Sequence, residues 1–120
     1  MDGDASRQEQ LRSRTKSFAL RIIRLFQHLP HSTEAQVLGK QLLRSGTSIG
    51  ANYRAAGRAR SKAGFVAKIG IVVEEADETL FWLECLIESG IVKGDLLKQL
   101  LTEANELAAI FSASHRTARS

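Results

Sequence analysis

Four basic residues lie within nine positions near the middle of this 120-residue sequence: Arg54, Arg58, Arg60 and Lys62. Their charged groups suit the phosphates of RNA or DNA, and contacts of this kind depend strongly on salt and weakly on base sequence. Tyr53 adds one aromatic ring that could stack on a base. The cluster therefore predicts a nucleic-acid-binding surface, to which we also assign Arg21 and Arg24 of the first predicted helix.

The same cluster also has explanations that involve no ligand. Cations stabilise the C-terminal end of a helix because they oppose the negative end of its dipole, and the second predicted helix ends at about Arg58. Residues 1–68 contain 13 Lys and Arg against 4 Asp and Glu, whereas residues 69–120 contain 4 against 9. The basic half could therefore meet a polyanion, pair with the acidic half of a neighbouring subunit, or form a solvated surface without a partner.

No set of residues has the spacing of a catalytic or metal site. The three histidines lack the i, i+4 spacing of a helical metal pair. Glu75 and Glu78 lie one helical turn apart, but the Glu-x-x-His pairs of di-iron bundles are missing. Cys85 is the only cysteine, which excludes an internal disulfide and favours a packed thiol. We therefore expect no catalytic residues, no metal and no cofactor, and we expect that the protein is not an enzyme.

Four amphipathic helices are predicted to position these residues, because apolar residues recur at three- and four-residue steps and no segment alternates as a strand does. The predicted segments are residues 7–29, 33–58, 62–88 and 95–112. Their ends are assigned to Pro30, to Ser32 or Thr33, to Ser61, to Ser89-Gly90 and to Asp95. Short links between four such helices favour an all-α protein, an antiparallel up-down four-helix bundle.

Periodicity also predicts which side chains form the core. For the second helix the predicted core residues are Leu38, Leu42, Ser45, Ile49, Asn52, Ala56 and Ala59. For the third helix they are Phe65, Ile69, Val72, Ala76, Leu80, Leu83 and Ile87. Charged residues at the margin of this third stripe, Lys68 and Glu75 among them, are expected to find partners on other helices, since an unpaired charge beside a core is costly.

Four glycines fall on one line of the second helix: Gly39, Gly46, Gly50 and Gly57. Each glycine inside a helix costs about 1 kcal/mol relative to alanine. A line of four therefore favours a groove into which another helix packs closely. The alternative is that these glycines break the helix.

An interface with another subunit or another protein is predicted from the glycine line and from aromatic residues of the third helix. Phe81 lies among carboxylates on an otherwise solvent-exposed face, and such a ring suggests a contact with a second molecule. The predicted interface residues are Gly46, Gly50, Tyr53, Gly57, Phe81 and Trp82.

The composition indicates one globular domain of residues 1–120, with an ordered core of about 8–112 and frayed tails. Hydrophobic residues make up 43% of the chain and charged residues 25%, and proline occurs once, which is typical of a folded helical protein. No apolar run is long enough to cross a bilayer, and the N-terminus lacks the features of a signal peptide. We therefore expect a cytoplasmic protein with no membrane partner.

Two segments carry a family resemblance: RSGTSIGANYRAA and SKAGFVAKIGIVVEEADETLFWL. They resemble the core of the bacterial four-helix-bundle family that includes the proteins encoded in intervening sequences of large-subunit ribosomal RNA genes. The similarity extends from about Thr15 to about Leu107. The matching positions are Arg44, Ser45, Gly46, Thr47, Ser48, Ile49, Asn52, Phe65, Lys68, Glu75, Ala76, Glu78, Thr79 and Trp82. Ala55 and Gly64 depart from the pattern, since the family commonly has acidic residues there.

The resemblance implies an antiparallel four-helix bundle that assembles as a homopentamer, with no activity established for most members. It also implies similarity to the accessory variability proteins of diversity-generating retroelements, which are basic pentamers that bind nucleic acid and a reverse transcriptase. The preferred hypothesis is a non-enzymatic oligomer that binds RNA or DNA through its basic surface. The competing hypothesis is a protein adaptor or scaffold, whose basic patch pairs with a neighbouring subunit or a partner protein such as a reverse transcriptase.

Overall fold

The chain folds as an antiparallel up-and-down four-helix bundle, which confirms the predicted fold class. The computed structural model describes residues 2–120, apart from the side chains of Asp2 and Asp4. The helices are α1 (Asp2–Gln27), α2 (Thr33–Ala56), α3 (Lys62–Glu88) and α4 (Gly94–Arg119). Consecutive helices pack side by side in a bundle 47 Å long and 23 by 20 Å across. Within residues 2–120, no helix combines the length and the apolar character needed to cross a membrane.

Polar side chains and one glycine define the helix ends. The hydroxyls of Ser32 and Ser61 each accept a hydrogen bond from the backbone N–H three residues later, at 3.3 and 3.0 Å. α3 stops at Gly90, whose φ of 77° lies in the left-handed region that glycine adopts most easily. These ends confirm the prediction. At α4 the N-cap is Lys93, and Asp95 lies in the first turn, so Asp95 opens the helix without capping it.

The outer helices extend further than the ordered core of 8–112 that the sequence suggested. α1 begins at Asp2 and α4 continues to Arg119. The end of α4 rests on α3, where a Cβ added to Gly70 would lie 3.2 Å from Nε2 of His115. The Lys62 ammonium also donates a hydrogen bond to the carbonyl oxygen of Ser120 at 3.2 Å. These contacts give the tail a packing partner that periodicity does not show, whereas fraying of the last turns stays a prediction.

The core runs along the whole bundle, and most of the predicted α2 and α3 core residues line it. Six predicted positions are only partly buried or lie outside α2: Leu38, Asn52, Ala59, Phe65, Leu80 and Ile87. Thr79 and Leu86 are fully buried instead. α3 is apolar over a broad face, so periodicity alone does not resolve which edge of the stripe faces inward. The Thr79 hydroxyl lies 2.7 Å from the carbonyl oxygen of Glu75 and 3.0 Å from the hydroxyl of Ser45, so its polarity is satisfied inside the core.

The glycine line of α2 faces α1, and the helix runs unbroken through it. A Cβ added to Gly39 or Gly46 would lie 2.6 Å from Leu29 or 2.9 Å from Ile22. At Gly50 it would lie 3.3 Å from the backbone carbonyl oxygen of Thr15, so the two backbones approach each other closely here. The predicted groove for another helix is therefore occupied by α1 of the same chain. Gly57 is the C-cap of α2, and a Cβ added there would meet only the backbone of its own turn.

The seam between α1 and α4 is held by ion pairs and contains few close backbone contacts. The Arg14 guanidinium donates two hydrogen bonds to the Glu103 carboxylate, both at 2.7 Å, and one to Glu106 at 2.6 Å. The hydrogen bond from Arg14 holds the pKa of Glu103 below its ordinary value of 4.5. A bidentate contact of this kind is stronger than a single hydrogen bond between an arginine and a carboxylate.

We expect Glu103→Gln to lower the free energy of unfolding by about 0.5–1 kcal/mol at neutral pH, the range of a partly exposed ion pair. Because the folded-state pKa of Glu103 is depressed, this contribution is fully present above 4.5 and is lost as the pH falls through the lower folded-state value. We would measure urea unfolding of the wild type and of Glu103→Gln from neutral to acid pH. The free energies of unfolding of the two proteins should converge in acid. Glu106→Gln is the control, with a smaller effect, since its side chain is 55% exposed. A difference that persists in acid would contradict the prediction.

Candidate nucleic-acid interface

Cationic residues from four parts of the chain lie at one end of the bundle. Because the helices alternate in direction, the N-terminal ends of α1 and α3 lie beside the C-terminal ends of α2 and α4. We call the exposed cationic residues of this region the basic end: Arg7, Arg12, Arg54, Arg58, Arg60, Lys62, Arg116 and Arg119. The turn between α2 and α3 and the two chain ends thus build one charged surface.

The basic end is free of carboxylate partners among the side chains that the structure describes. The ion pairs among the described side chains involve Arg14, which contacts α4, and Arg44, which lies further along the bundle. Burial raises the pKa of Tyr53, and the positive charges of Arg12 and Arg7 act in the opposite direction, which places both arginines near its phenol group. Unpaired like charges gathered at one place produce a positive field that attracts polyanions.

The predicted binding residues fall into two separate groups. Arg54 and Arg58 follow one another around the end of α2, with Arg60 and Lys62 in the adjoining turn and at the start of α3. Arg21 and Arg24 lie in the other half of α1. They line a shallow depression beside the start of α4, which includes Asp95 and Lys98. α1 runs away from the basic end, so these two arginines do not extend the same surface.

A groove between α1 and α2 adds cations that the sequence analysis did not assign. Arg12 and Lys16 lie on its α1 side and Arg54 on its α2 side, and Gly50 lies between them. The groove has a volume of about 550 Å³. The i, i+4 spacing of Arg12 and Lys16 was visible in the sequence. Only the pairing of α1 with α2 shows that this pair faces Arg54.

The one tyrosine of the chain is not available to stack on a base. Tyr53 is 8% exposed, and its ring packs against Phe111 on α4 with centroids 5.1 Å apart. The ring therefore belongs to the core. Although Tyr53 is adjacent to the basic cluster in the sequence, it is not part of the basic end.

A second polar cluster lies on the outer surface between α2 and α3. The Arg44 guanidinium donates hydrogen bonds to Glu75, at 3.1 Å, and to Glu78. The indole N–H of Trp82 donates to the same Glu78 carboxylate at 3.1 Å. Glu75 therefore has the partner on another helix that was expected, and an arginine lies between the two carboxylates. No group of three metal-ligating side chains occurs in the described part of the chain.

The aromatic interface candidates lie beside this cluster. Phe81 is 54% exposed and meets the Trp82 ring edge-on, with centroids 4.9 Å apart. The exposed residues around Phe81 on α3 include Glu74, Asp77 and Glu84. The pair forms a small apolar patch within an acidic face, whereas Gly46 and Gly50 lie against α1. A role in contacts between subunits stays a prediction for all of these positions.

Comparison with known proteins gives a family match and a close similarity to a solved structure. Residues 7–113 match the model of the 23S rRNA-intervening sequence protein family. A crystal structure at 1.70 Å resolution of a protein with unknown function from the S23 ribosomal protein family of Bacteroides thetaiotaomicron is 34% identical, with a TM-score of 0.84. That similarity covers 91% of this chain and 97% of the other. No curated protein matches the chain. Sequence and fold agree over nearly the whole bundle.

Proposed function

The chain belongs to the 23S rRNA-intervening sequence protein family, and from this premise we propose that it is a cytoplasmic, non-enzymatic homo-oligomer that binds RNA or DNA through its basic end. One observation carries the proposal: cations from four parts of the chain converge there, and none of them has a carboxylate partner among the side chains that the structure describes. The solved relative has no known function. Charge and geometry at the basic end therefore support binding.

Phosphate contacts supply the free energy of this interaction. A protein that neutralises several phosphates releases their condensed counterions, and affinity then falls steeply with salt concentration. The exposed arginines and Lys62 of the basic end supply such contacts without selecting a base sequence. The absence of a convergent acid–base or nucleophile set in the sequence supports a binding role in preference to catalysis.

Assembly would multiply the effect of each basic end. The resemblance to pentameric proteins supports a homopentamer, in which every subunit presents the same surface by symmetry. Repeated surfaces on one particle raise the affinity for a long polyanion, because the second contact becomes intramolecular after the first. The ring proposed here therefore strengthens a contact that is weak in a single subunit.

Binding can be tested by fluorescence anisotropy with labelled RNA and DNA, each as a single strand and as a duplex, over a series of salt concentrations. We expect binding at low salt to at least one form, and a plot of log K against log salt that falls with a slope of several units. Light scattering of the same samples gives the particle mass with and without ligand. No affinity at low salt for any of the four probes would overturn the proposed function.

The adaptor hypothesis remains the second candidate because of the patch formed by Phe81 and Trp82. An aromatic ring that is 54% exposed within an acidic face suits a partner surface that is apolar at its centre and basic at its edge. A neighbouring subunit or a partner protein such as a reverse transcriptase would provide that surface. Charge reversal at Arg54 and Arg58 separates the two candidates.

A further inference from the structure

We propose that the basic end binds duplex nucleic acid in preference to single strands, and that the groove between α1 and α2 holds one strand of the duplex backbone. This inference rests on the proposed function and adds to it the class of ligand. Three observations carry it: the construction of the groove, the lack of an exposed aromatic ring near it, and the extent of the charged surface.

The close approach of α1 and α2 builds the groove. Because Gly50 has no side chain, the backbone of Thr15 comes within contact distance of α2. This approach brings Arg12 and Lys16 of one helix opposite Arg54 of the other. A phosphodiester strand that lies in the groove would therefore meet cations on both sides.

The balance of charge in the groove is positive. Glu9 is the acidic residue among those lining it, and it faces three cations. The remaining lining includes small residues such as Gly50 and Ala51, which leave room for a backbone and offer no flat surface to a base. The groove thus recognises phosphate and does not recognise bases.

No aromatic ring near the basic end is fully exposed. Tyr53 is 8% exposed, Phe18 and Phe111 are buried, and Phe65 is partly buried and packs against the core. The exposed ring of Phe81 lies in the acidic face of α3. Proteins that bind single strands usually combine a basic groove with rings on which the bases stack, a contact that stabilises the complex by about 1–3 kcal/mol per base. A single strand would lose this contribution here, whereas a duplex keeps its bases stacked on one another.

The size of the surface favours the same ligand. The basic cations continue from the groove over an end that is about as wide as the bundle, which measures 23 by 20 Å across. A duplex carries one charge for roughly every 1.7 Å of its axis, about twice the linear density of one strand. A broad, fixed set of cations therefore meets more phosphates on a duplex than on a single strand of the same length.

The test compares a duplex with its own single strand, in both DNA and RNA, using one sequence that cannot fold on itself. Anisotropy titrations of the full chain should show duplex binding at least about tenfold tighter. Arg12→Gln combined with Lys16→Gln should weaken duplex binding by roughly tenfold and lower the salt slope by about two, since two phosphate contacts are lost. Both side chains are exposed, and circular dichroism confirms that the variant is folded.

The matched control is Lys40→Gln combined with Lys98→Gln, which removes the same charge from exposed positions at the opposite end of the bundle. Its affinity should stay within about twofold of the wild type. Equal or tighter binding of the single strand would overturn the inference and leave the proposed function standing. An equal loss in the control variant would overturn the role of the groove. Failure of every probe to bind would overturn both.

Discussion

Arg54→Glu combined with Arg58→Glu is expected to abolish binding of RNA and DNA while the subunits still assemble. Both side chains are exposed at the end of α2, and neither has a carboxylate partner among the described side chains. The double reversal removes two phosphate contacts and places two carboxylates opposite the ligand, so we expect a loss of affinity on the order of 100-fold or more at low salt. Anisotropy measures the affinity, and light scattering measures the particle mass.

The adaptor hypothesis predicts the opposite result for the same protein. If the basic patch pairs with the acidic half of a neighbouring subunit, the two new carboxylates repel that surface and the oligomer dissociates. Lys40→Glu combined with Lys98→Glu is the control, because it changes the net charge equally at the other end of the bundle. Dissociation of the first variant alone would favour the adaptor, and unchanged binding in both variants would contradict the nucleic-acid interface.

The helices that carry the candidate site could be predicted from the sequence, but the full set of residues that form the site could not. Arg54 and Arg58 were assigned because they are neighbours along the chain, and the structure places them together. Arg12 is separated from them by most of two helices and becomes their neighbour only through the packing of α1 on α2. Arg21 and Arg24 have the same residue type and the same helix as Arg12, yet they lie at the other end. Linear charge density does not report which end of a helix a cation occupies.

Tyr53 shows that the position of a residue in the sequence does not by itself tell whether its side chain faces solvent or the core. It lies beside a basic cluster in the sequence, which suggests an exposed ring, but a rotation of about 100° per residue along α2 carries it to the inner face. The partner that settles its position is Phe111, more than 50 residues later. The helix pattern could be read locally because each helix shows its own periodicity, whereas this contact depends on the arrangement of all four helices.

The glycine line was the part of the fold that sequence reasoning anticipated most directly, and its energetic role can be measured. At Gly46 an added Cβ would lie 2.9 Å from Cγ1 and 3.1 Å from Cγ2 of Ile22, a fully buried side chain that is branched at its own Cβ. Both contacted atoms are attached directly to the branched Cβ, where rotation is restricted, so they cannot easily move aside. The position therefore requires the absence of a side chain, even though glycine weakens the helix.

We expect Gly46→Val to lower the free energy of unfolding by about 3 kcal/mol, the upper range for overpacking a core. Urea unfolding at one fixed protein concentration measures this, since assembly also contributes to stability. Gly57→Val is the matched control from the same line. Gly57 has a φ of −64° and meets only its own turn, so its change should stay within about 0.5 kcal/mol.

A double variant identifies the cause of the loss at Gly46. Ile22→Ala alone should destabilise the protein by about 2–5 kcal/mol, because it leaves a cavity in the core. In Ile22→Ala combined with Gly46→Val, the new side chain occupies part of that cavity, so the combined loss should be smaller than the sum by about 1–3 kcal/mol. Strictly additive losses would mean that α1 does not pack against Gly46. The close approach of α1 and α2, on which the groove beside Gly50 depends, would then lose its support.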